Sequence, residues 1–204
     1  MKNVVVLISG GGTNLQAILD GVADGTIAAR ISGVISSKAD AYGLMRAEKA
    51  GIPTRVITRK AQEMEPGILL GALEAFAADY VVLAGYLSIL PAGVVQAYEN
   101  RMINVHPSLI PSFCGKGFYG IHVHERVLEY GVKLTGATVH FVNEETDGGP
   151  IILQEAVAVH PDDTPEMLQQ RVLPLEHRLL VQAVAHLVRD EIQVDGRKVW
   201  IREA

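Results

Sequence analysis

The fold is indicated by the stretch NVVVLISGGGTNLQAILDGV, residues 3–22. Residues 3–8 are a short apolar run rich in valine, which is typical of a buried strand. A glycine-rich loop follows at 9–14, and apolar residues at helical spacing occupy 15–22. This order predicts a strand, a tight loop and a helix, which is the first unit of an α/β fold.

The same unit recurs along the first half of the chain. Further strands are predicted at 31–35, 54–57, 80–83 and 102–105, with helices at 42–50 and 69–78. Pro66 and Gly67 obscure the start of the second of these helices. Alternating strands and helices predict parallel pairing with right-handed crossovers.

The pattern changes after residue 105. A long loop at 107–120 leads to a helix that starts near Ile121. Two β-rich runs at 134–142 and 151–159 predict an antiparallel extension, and Thr164-Pro165 opens a helix that runs to about residue 188. The predicted fold is a Rossmann-like α/β domain that spans 1–204, with a mostly parallel sheet and helices on both faces.

Composition excludes several classes of protein. The 204 residues are 49% hydrophobic and 20% charged, which is enough for a sizeable core and excludes a disordered chain. Eighteen basic and 23 acidic residues give a net charge of −5, so a general nucleic-acid binder is not expected. Cys114 is the single cysteine, and we find no membrane span or signal peptide. We therefore expect a cytoplasmic protein without membrane partners.

The glycine loop is a candidate site for a phosphate group. Backbone N–H groups at a strand-to-helix turn can hold an anion, and Thr13 and Asn14 can donate further hydrogen bonds. A dinucleotide fingerprint would place a third glycine at Leu15, and a P-loop would need Gly-Lys-Ser/Thr, so neither template fits. A phosphomonoester fits better, while a turn needed only for strand-to-helix geometry remains the alternative.

Asn104, His106 and Asp147 are candidate catalytic residues. Asn104 and His106 lie two positions apart at the end of a predicted strand, so they project to the same face. An amide donor can stabilise an oxyanion, and an imidazole can move protons near neutral pH. Asp147 would favour the imidazolium if its loop folds back over the strand end. Alternatively, His-Pro ends a strand and Asp-Gly-Gly turns a hairpin without any catalytic role.

Other reactive residues give weaker signals. His122 and His124 lie at i and i+2 on a predicted helix, where their rings diverge, so no metal site is expected. His140 is equally consistent with a pocket residue and a core histidine. Cys114 is better explained as an ordinary loop cysteine than as a nucleophile, because nothing beyond sequence proximity indicates an activated thiol.

Four motifs in colinear order resemble one family. They are SGGGTNLQA at the N-terminus, VVLAGY at 81–86, NVHPSLIP at 104–111 and HFVNEETDGGPII at 140–152. Together these segments are similar to the phosphoribosylglycinamide formyltransferases, folate-dependent enzymes of purine biosynthesis. The resemblance implies transfer of a formyl group from 10-formyltetrahydrofolate to the amine of 5-phosphoribosylglycinamide through a tetrahedral intermediate, with no metal. It also implies a phosphate-binding half at about 1–100 and a catalytic, folate-binding half at about 101–204.

The resemblance assigns a role to each matched residue. Asn104 would hold the oxyanion, His106 would donate a proton, and Asp147 would raise the pKa of His106 and order a water. Residues expected to bind the ribonucleotide are Gly12, Thr13, Asn14, Gly85, Pro107 and Glu176. Residues expected to contact the folate are Leu87, Ser88, Ile89, Leu90, Asn104, Asn143, Glu144, Glu145 and Thr146, and His140 is a possible pocket residue.

Two segments depart from the family pattern. Several members have a shorter segment after His-Pro-Ser-Leu-x-Pro, so residues 112–119 have no certain equivalents. Ser88 stands where some relatives carry arginine, so contacts with the folate glutamate tail cannot be assigned to it.

Three other functions are compatible with parts of the sequence. A formyltetrahydrofolate hydrolase would use the same Asn, His and Asp, but such proteins usually carry an N-terminal regulatory domain. Transfer to initiator methionyl-tRNA normally requires a further domain and a basic surface. A noncatalytic phosphate-ligand sensor could retain the fold. A monomer and a homodimer are both compatible with the sequence.

Overall fold

A computed structural model of the protein describes residues 1–202. Its strands are β1 (Lys2–Ile8), β2 (Ala29–Ser36), β3 (Thr54–Val56), β4 (Tyr80–Leu83), β5 (Met102–His106), β6 (Leu134–Phe141), β7 (Ile151–Ala158), β8 (Ile192–Asp195) and β9 (Lys198–Ile201). Its helices are α1 (Thr13–Ala23), α2 (Tyr42–Lys49), α3 (Arg59–Met64), α4 (Ile68–Ala75), α5 (Ala92–Ala97), α6 (Ile121–Tyr130) and α7 (Pro165–Val188).

The first seven strands form one sheet in the order β3-β2-β1-β4-β5-β6-β7. The pairings from β3 through β5 are parallel, whereas β6 is antiparallel to both β5 and β7. This arrangement confirms the predicted Rossmann-like domain with its antiparallel extension. The chain leaves β1 for β2 on one side and returns to β4 on the other, so the sheet has a switch point beside β1 where ligands of such folds bind.

The central strand β1 is buried on both faces because its apolar residues alternate between two cores. Val4, Val6 and Ile8 belong to the cluster that includes the residues of α1 and α7. Val5 and Leu7 belong to the opposite cluster, together with residues of α4 and α5. The continuous valine-rich run is therefore that of a strand with helices on both faces.

Local signals set the ends of the helices. The side chains of Thr58 and Thr164 accept hydrogen bonds from Ala61 N and Met167 N, which caps α3 and α7. Pro165 occupies the first turn of α7, and α6 ends at Gly131 in the left-handed conformation.

Three parts of the fold were not predicted from the sequence. The region around Pro66 contains two short helices, α3 and α4, where one was expected. The six-residue helix α5 and the β8–β9 hairpin were not anticipated. Within residues 1–202, no helix is long and apolar enough to cross a membrane.

Candidate active site

The candidate catalytic residues lie where the parallel part of the sheet meets the antiparallel part. Asn104 and His106 are on β5, and in the antiparallel register they face His140 and Thr138 of β6. His106, His140 and Thr138 are all at least 96% buried. The predicted period-two spacing of Asn104 and His106 therefore brings both side chains into one buried cluster.

Asp147 reaches this cluster on the loop that connects β6 to β7. Its own φ is 55°, and a Cβ on Gly149 would lie 1.7 Å from the carbonyl oxygen of Phe141. Only glycine at 149 therefore allows the loop to fold back this tightly on the end of β6. Asp147 lies beside His106, with Oδ2 3.6 Å from the ring nitrogen Nδ1.

The Asp147 carboxylate also joins Asn104 and His140. The Asn104 amide nitrogen Nδ2 donates to Asp147 Oδ1 over a long 3.4 Å, and His140 Nε2 is 3.6 Å from the same oxygen. The second carboxylate oxygen accepts a 2.8 Å hydrogen bond from the backbone N–H of Gly115. The three predicted catalytic residues thus converge, and the buried His140 contacts both Asn104 and Asp147.

Backbone carbonyls determine which ring nitrogen of each histidine carries a hydrogen. His140 Nδ1 lies 2.8 Å from its neighbour's carbonyl, Phe141 O, so this nitrogen carries the hydrogen. His140 Nε2 can then accept from the Asn104 amide at 3.1 Å. His106 Nε2 lies 2.9 Å from Phe113 O and likewise carries a hydrogen. In neutral His106, Nδ1 is therefore the nitrogen with the free lone pair, and it faces Asp147.

Burial and charge act in opposite directions on the pKa values of this cluster. Burial lowers the pKa of His106, and the Asp147 charge together with the Phe113 carbonyl only partly opposes it. The expected influence of Asp147 on His106 is present, but desolvation outweighs it. For Asp147, burial favours the neutral acid, yet the contacts with His140, His106 and Gly115 leave its pKa below the usual range. The neutral imidazole beside a carboxylate is therefore the favoured state.

Hydrogen bonds anchor the chain immediately after His106. The Thr138 hydroxyl donates to Ser108 O and accepts from Ile110 N, while Gln154 Nε2 donates to both Ile110 O and Thr138. This network ties the start of the 107–120 loop to β6 and β7. The loop then returns to the cluster at Phe113 and Gly115, and the sequence pattern does not predict these contacts.

The other candidate residues near this loop differ in burial and in their contacts. His122 is exposed and bonds Glu125, whereas His124 is buried. Burial lowers the pKa of His124 to about 4, with a smaller contribution from His106. Cys114 Sγ contacts Pro111 O, and burial raises the pKa of the thiol, which opposes a nucleophilic role.

The described part of the chain contains no group of three or more His, Cys, Asp or Glu residues placed to hold a metal.

The glycine loop lies at the carboxyl end of β1, with Gly12 as the N-cap of α1. Gly12 has a φ of 71°, and a Cβ there would lie 2.6 Å from the Cα of Gly43 on α2. The glycine is thus required by both backbone conformation and packing. The first N–H groups of α1 have no partner within the helix, and Thr13 beside them is exposed.

Arg46 of α2 is a further residue of this region that sequence reasoning missed. Its Nε donates to Gly11 O at 2.9 Å, and its Nη1 donates to Gln16 Oε1 at 3.1 Å. A guanidinium therefore fixes the glycine loop and adds a positive charge beside it. Ser9 is a second missed residue, because its hydroxyl accepts from Leu87 N and bonds Ser37 Oγ.

The side chain of Asn14 contacts Glu176, the other buried polar residue expected to bind the ribonucleotide. Its side-chain amide donates to Glu176 Oε2 of α7 at 3.2 Å, and Asn14 Oδ1 has no hydrogen-bond partner in residues 1–202. Burial raises the pKa of Glu176 to about 7, although the Asn14 bond opposes the shift. The two residues form one buried polar pair beside the glycine loop.

The two segments expected to contact folate also lie close together. Leu87 and Ile89 are exposed after β4, while Leu90 packs in the same apolar cluster as Val142. Gln96 of α5 bonds Glu144 at 2.8 Å. An apolar surface thus adjoins the loop that carries Asp147. Gly85 and Ser88 follow β4, Pro107 follows β5, and Asn143, Glu145 and Thr146 lie in the loop that connects β6 to β7.

Several known proteins are similar to this chain in sequence and in fold. The sequence pattern of the formyl transferase family matches residues 2–184. The phosphoribosylglycinamide formyltransferase of Haemophilus influenzae is 44% identical over 182 residues, covering 88% of this chain and 84% of the relative. The glycinamide ribonucleotide transformylase 1 structure from Symbiobacterium toebii has a TM-score of 0.93 and 43% identity, covering 100% of this chain and 95% of that one.

Two further matches differ in length or activity. A formyltetrahydrofolate deformylase structure from Pseudomonas syringae has a TM-score of 0.90 at 29% identity, covering 99% of this chain and 66% of that one. The human trifunctional purine biosynthetic protein adenosine-3 is 45% identical over 206 residues; these cover 98% of this chain but only 20% of the human protein.

The fold is that of an enzyme class that transfers one-carbon groups, and the chain belongs to the formyl transferase family. Its matches at 37–45% identity include phosphoribosylglycinamide formyltransferases from plants and bacteria. The known reaction of the phosphoribosylglycinamide formyltransferases is formyl transfer from 10-formyltetrahydrofolate, in purine biosynthesis.

Proposed function

We propose that this chain transfers the formyl group of 10-formyltetrahydrofolate to the amine of 5-phosphoribosylglycinamide, with Asn104, His106 and Asp147 as its catalytic residues. The observation that carries this proposal is the convergence of the three side chains at the end of β5, with both Asn104 and His106 within 3.6 Å of the Asp147 carboxylate. The family membership supplies the reaction, and this geometry supports the roles of the residues.

The first step is attack of the substrate amine on the formyl carbon. The carbonyl oxygen then becomes an oxyanion, which needs a positioned hydrogen-bond donor. The Asn104 amide has one hydrogen engaged by His140, and the other is held only loosely by Asp147 at 3.4 Å. This second hydrogen is the one available to the oxyanion.

His106 moves the proton that the reaction transfers between two nitrogens. Because its pKa is lowered, the ring begins neutral, with the lone pair of Nδ1 available. It accepts the proton that the attacking amine releases, and Asp147 stabilises the imidazolium. The same proton then goes to N10 of the folate as the bond from N10 to the formyl carbon breaks. His106 therefore acts as the expected donor only after it has served as the acceptor, and no net proton is consumed.

The glycine loop would bind the phosphate of the ribonucleotide. Gly12, Thr13 and Asn14 supply N–H groups at the start of α1, and the Arg46 charge lies behind the loop. Gly85 and Pro107, which follow β4 and β5, would line the path of the ribonucleotide. Glu176 would receive the hydroxyls of the sugar, since its buried carboxyl can accept or donate a hydrogen bond near pH 7.

The pterin of the folate would lie against the apolar segment formed by Leu87, Ser88, Ile89 and Leu90. The polar groups of Asn143, Glu144, Glu145 and Thr146 would contact the edge of its ring. In this proposed arrangement the formyl group would lie close to Asn104. No metal is needed, because the proton transfers and the oxyanion are served by protein groups.

A product assay with 10-formyltetrahydrofolate tests the function directly. With the ribonucleotide present we expect formylated ribonucleotide and free tetrahydrofolate in equal amounts, and without it little turnover. Formate release that does not depend on the ribonucleotide would instead show a hydrolase, the second candidate, which the similarity to a deformylase structure favours. No turnover under either condition would indicate a ligand sensor.

We also propose that the protein works in the cytoplasm on small-molecule substrates, as a single domain and as a monomer or homodimer. The continuous sheet that joins residues of both halves supports a single domain. The single cysteine and the net charge of −5 are consistent with a cytoplasmic enzyme that does not bind nucleic acid. Light scattering of the purified protein distinguishes the monomer from the homodimer.

A further inference from the structure

The loop 107–120 touches the catalytic cluster at two backbone atoms on either side of Cys114. The Phe113 carbonyl accepts from His106 Nε2 at 2.9 Å, and the Gly115 N–H donates to Asp147 at 2.8 Å. The loop therefore contacts both members of the His–Asp pair. These contacts use backbone groups, so their strength depends on whatever holds the loop in place.

The contact with Phe113 decides which nitrogen of His106 exchanges a proton. A neutral imidazole carries one hydrogen, on either Nδ1 or Nε2. Without the Phe113 carbonyl, the Asp147 carboxylate 3.6 Å from Nδ1 would favour the hydrogen on Nδ1. In that tautomer the nitrogen beside Asp147 has no lone pair with which to accept a proton. The carbonyl holds the hydrogen on Nε2 and leaves Nδ1 free.

Three aromatic rings pack together around the side chain of Phe113. Phe113 packs edge-to-face on Phe118, with ring centroids 6.4 Å apart, and on Tyr130 of α6, with centroids 5.8 Å apart. Phe113 also has a φ of 52°, a conformation that a bulky residue adopts only when its surroundings impose it. Phe113 and Phe118 are half-buried against the main core. We call Phe113, Phe118 and Tyr130 the aromatic clasp.

We propose that the aromatic clasp is a positioning device for the reaction: it holds the Phe113 carbonyl on His106 Nε2, so that Nδ1 is the proton-exchanging atom. This inference rests on the proposed function. It gives a role to residues 112–119, the segment that the family resemblance leaves without one.

Other titratable groups also face His106, and they set the background for a pH test. They are Asp147 from the loop after β6, His140 from β6 itself and His124 from α6. None of the three belongs to the aromatic clasp. Substitutions in the clasp therefore remove none of these titratable groups.

Phe118→Ala tests the proposal, with Tyr119→Ala as the matched control. Tyr119 is an aromatic of the same loop that packs on His122, 5.3 Å away, and is half-exposed. We expect Phe118→Ala to lower kcat about 10-fold, which is less than the loss expected when the proton-transfer group itself is removed, with KM for either substrate changed less than about 2-fold. Phe118→Leu, which restores most of the apolar contact, should recover part of kcat, and Tyr119→Ala should resemble the wild type.

Nitrogen-15 NMR of the histidine rings gives a readout that a merely structural role would not change. The His106 signals are identified by their loss in His106→Ala. In the wild type the neutral ring should carry its hydrogen on Nε2. In Phe118→Ala a fraction of the neutral rings should carry it on Nδ1 instead. The pKa of His106 should also fall in this variant, because the Phe113 carbonyl favours the charged ring. If Phe118→Ala does not fold, the same measurements on Tyr130→Ala test the proposal. Tyr130 is 80% exposed, so we expect its loss to leave the core intact.

An unchanged tautomer, pKa and kcat in the folded clasp variant would overturn the proposal. So would an equal loss of kcat in Tyr119→Ala. A wild-type protein that transfers no formyl group would overturn the proposed function instead. In that case the NMR measurement still tests whether the clasp sets the tautomer of His106.

Discussion

The glycine loop and the catalytic cluster both lie at strand ends, but they are built in different ways. The glycine loop uses residues 9–14, which are contiguous in sequence, and presents mainly backbone N–H groups. The catalytic cluster takes Asn104, His106, His140 and Asp147 from two strands and a loop, and further backbone contacts from Phe113 and Gly115. A site built from backbone tolerates side-chain changes around it, whereas a cluster of side chains depends on each member.

Because of this difference, substitutions in the two regions should affect different properties of the protein. Substitutions in the catalytic cluster should act on turnover and on its pH dependence. Substitutions at the glycine loop and at the Asn14–Glu176 pair should act on ribonucleotide binding and on stability. Each of the following predictions tests one side of that division.

The largest effect is expected for His106→Ala. Loss of the group that both accepts and donates the proton should lower kcat at least about 10²-fold, with KM for the ribonucleotide nearly unchanged. His122→Ala is the control, since that histidine is exposed and bonded to Glu125. Steady-state kinetics measure both variants. A folded His106→Ala protein with normal turnover would remove His106 from catalysis.

The next effect concerns stability and Glu176. The pKa of this carboxyl is raised from 4.5 to about 7, so the folded protein binds its proton more tightly than the unfolded chain does. This tighter proton binding adds up to about 3 kcal/mol to the free energy of unfolding at low pH. The contribution is lost as the pH rises from about 4.5 to about 7. Glu176→Gln should abolish this decline.

Urea unfolding at pH 5 and pH 8 measures the contribution of Glu176. The difference between wild type and Glu176→Gln isolates it from that of the histidines, and the exposed Glu99→Gln serves as a control. Parallel pH dependence in all three proteins would mean that Glu176 ionises normally.

Asp147→Asn should have a smaller effect on turnover and a distinct effect on its pH profile. We expect kcat to fall about 10-fold, because the imidazolium loses its counter-charge. Since Asp147 raises the pKa of His106 against the effect of burial, its removal should move the His106 limb of the kcat profile to lower pH. The exposed Asp195→Asn is the control, and a limb at the wild-type pH would contradict the pairing of Asp147 with His106.

The smallest effect is expected for Thr13→Ala. Much of the phosphate binding comes from backbone N–H groups that this change preserves, so KM for the ribonucleotide should rise only about 3-fold. KM for the folate should stay constant, and Thr26→Ala, which removes an exposed hydroxyl beyond α1, should have no effect. A larger change in the folate KM would place the phosphate elsewhere.

The parallel half of the fold could be predicted because its signals are local. A valine-rich run, a glycine turn and a helical repeat each occupy neighbouring residues, so β1, the loop and α1 were found together. The helix α5 has six residues, and each strand of the β8–β9 hairpin has four. Both elements are too short for sequence periodicity to indicate them. The split of α3 from α4 was hidden by Pro66 and Gly67.

Prediction of the site was limited by contacts between distant segments. Asn104 and His106 share a strand, so their common face follows from spacing alone, while the approach of Asp147 needed the family resemblance. The roles of Phe113 and Gly115 could not be predicted, because a backbone carbonyl or N–H is the same at every residue. The three aromatics at 113, 118 and 119 were a usable signal that the loop packs on something. The net lowering of the pKa of His106 depends on its depth of burial, which spacing does not give.

The contact between Asn14 and Glu176 has a consequence for the order in which the protein is made. These residues are 162 positions apart, yet the buried polar pair they form lies beside the glycine loop. A ribosome therefore delivers the glycine loop early, when α7 has not yet been synthesised. Until α7 docks on α1, the amide of Asn14 lacks its partner. Newly made chains should gain affinity for the ribonucleotide only near the end of translation, whereas the phosphate loop itself is among the first segments to emerge.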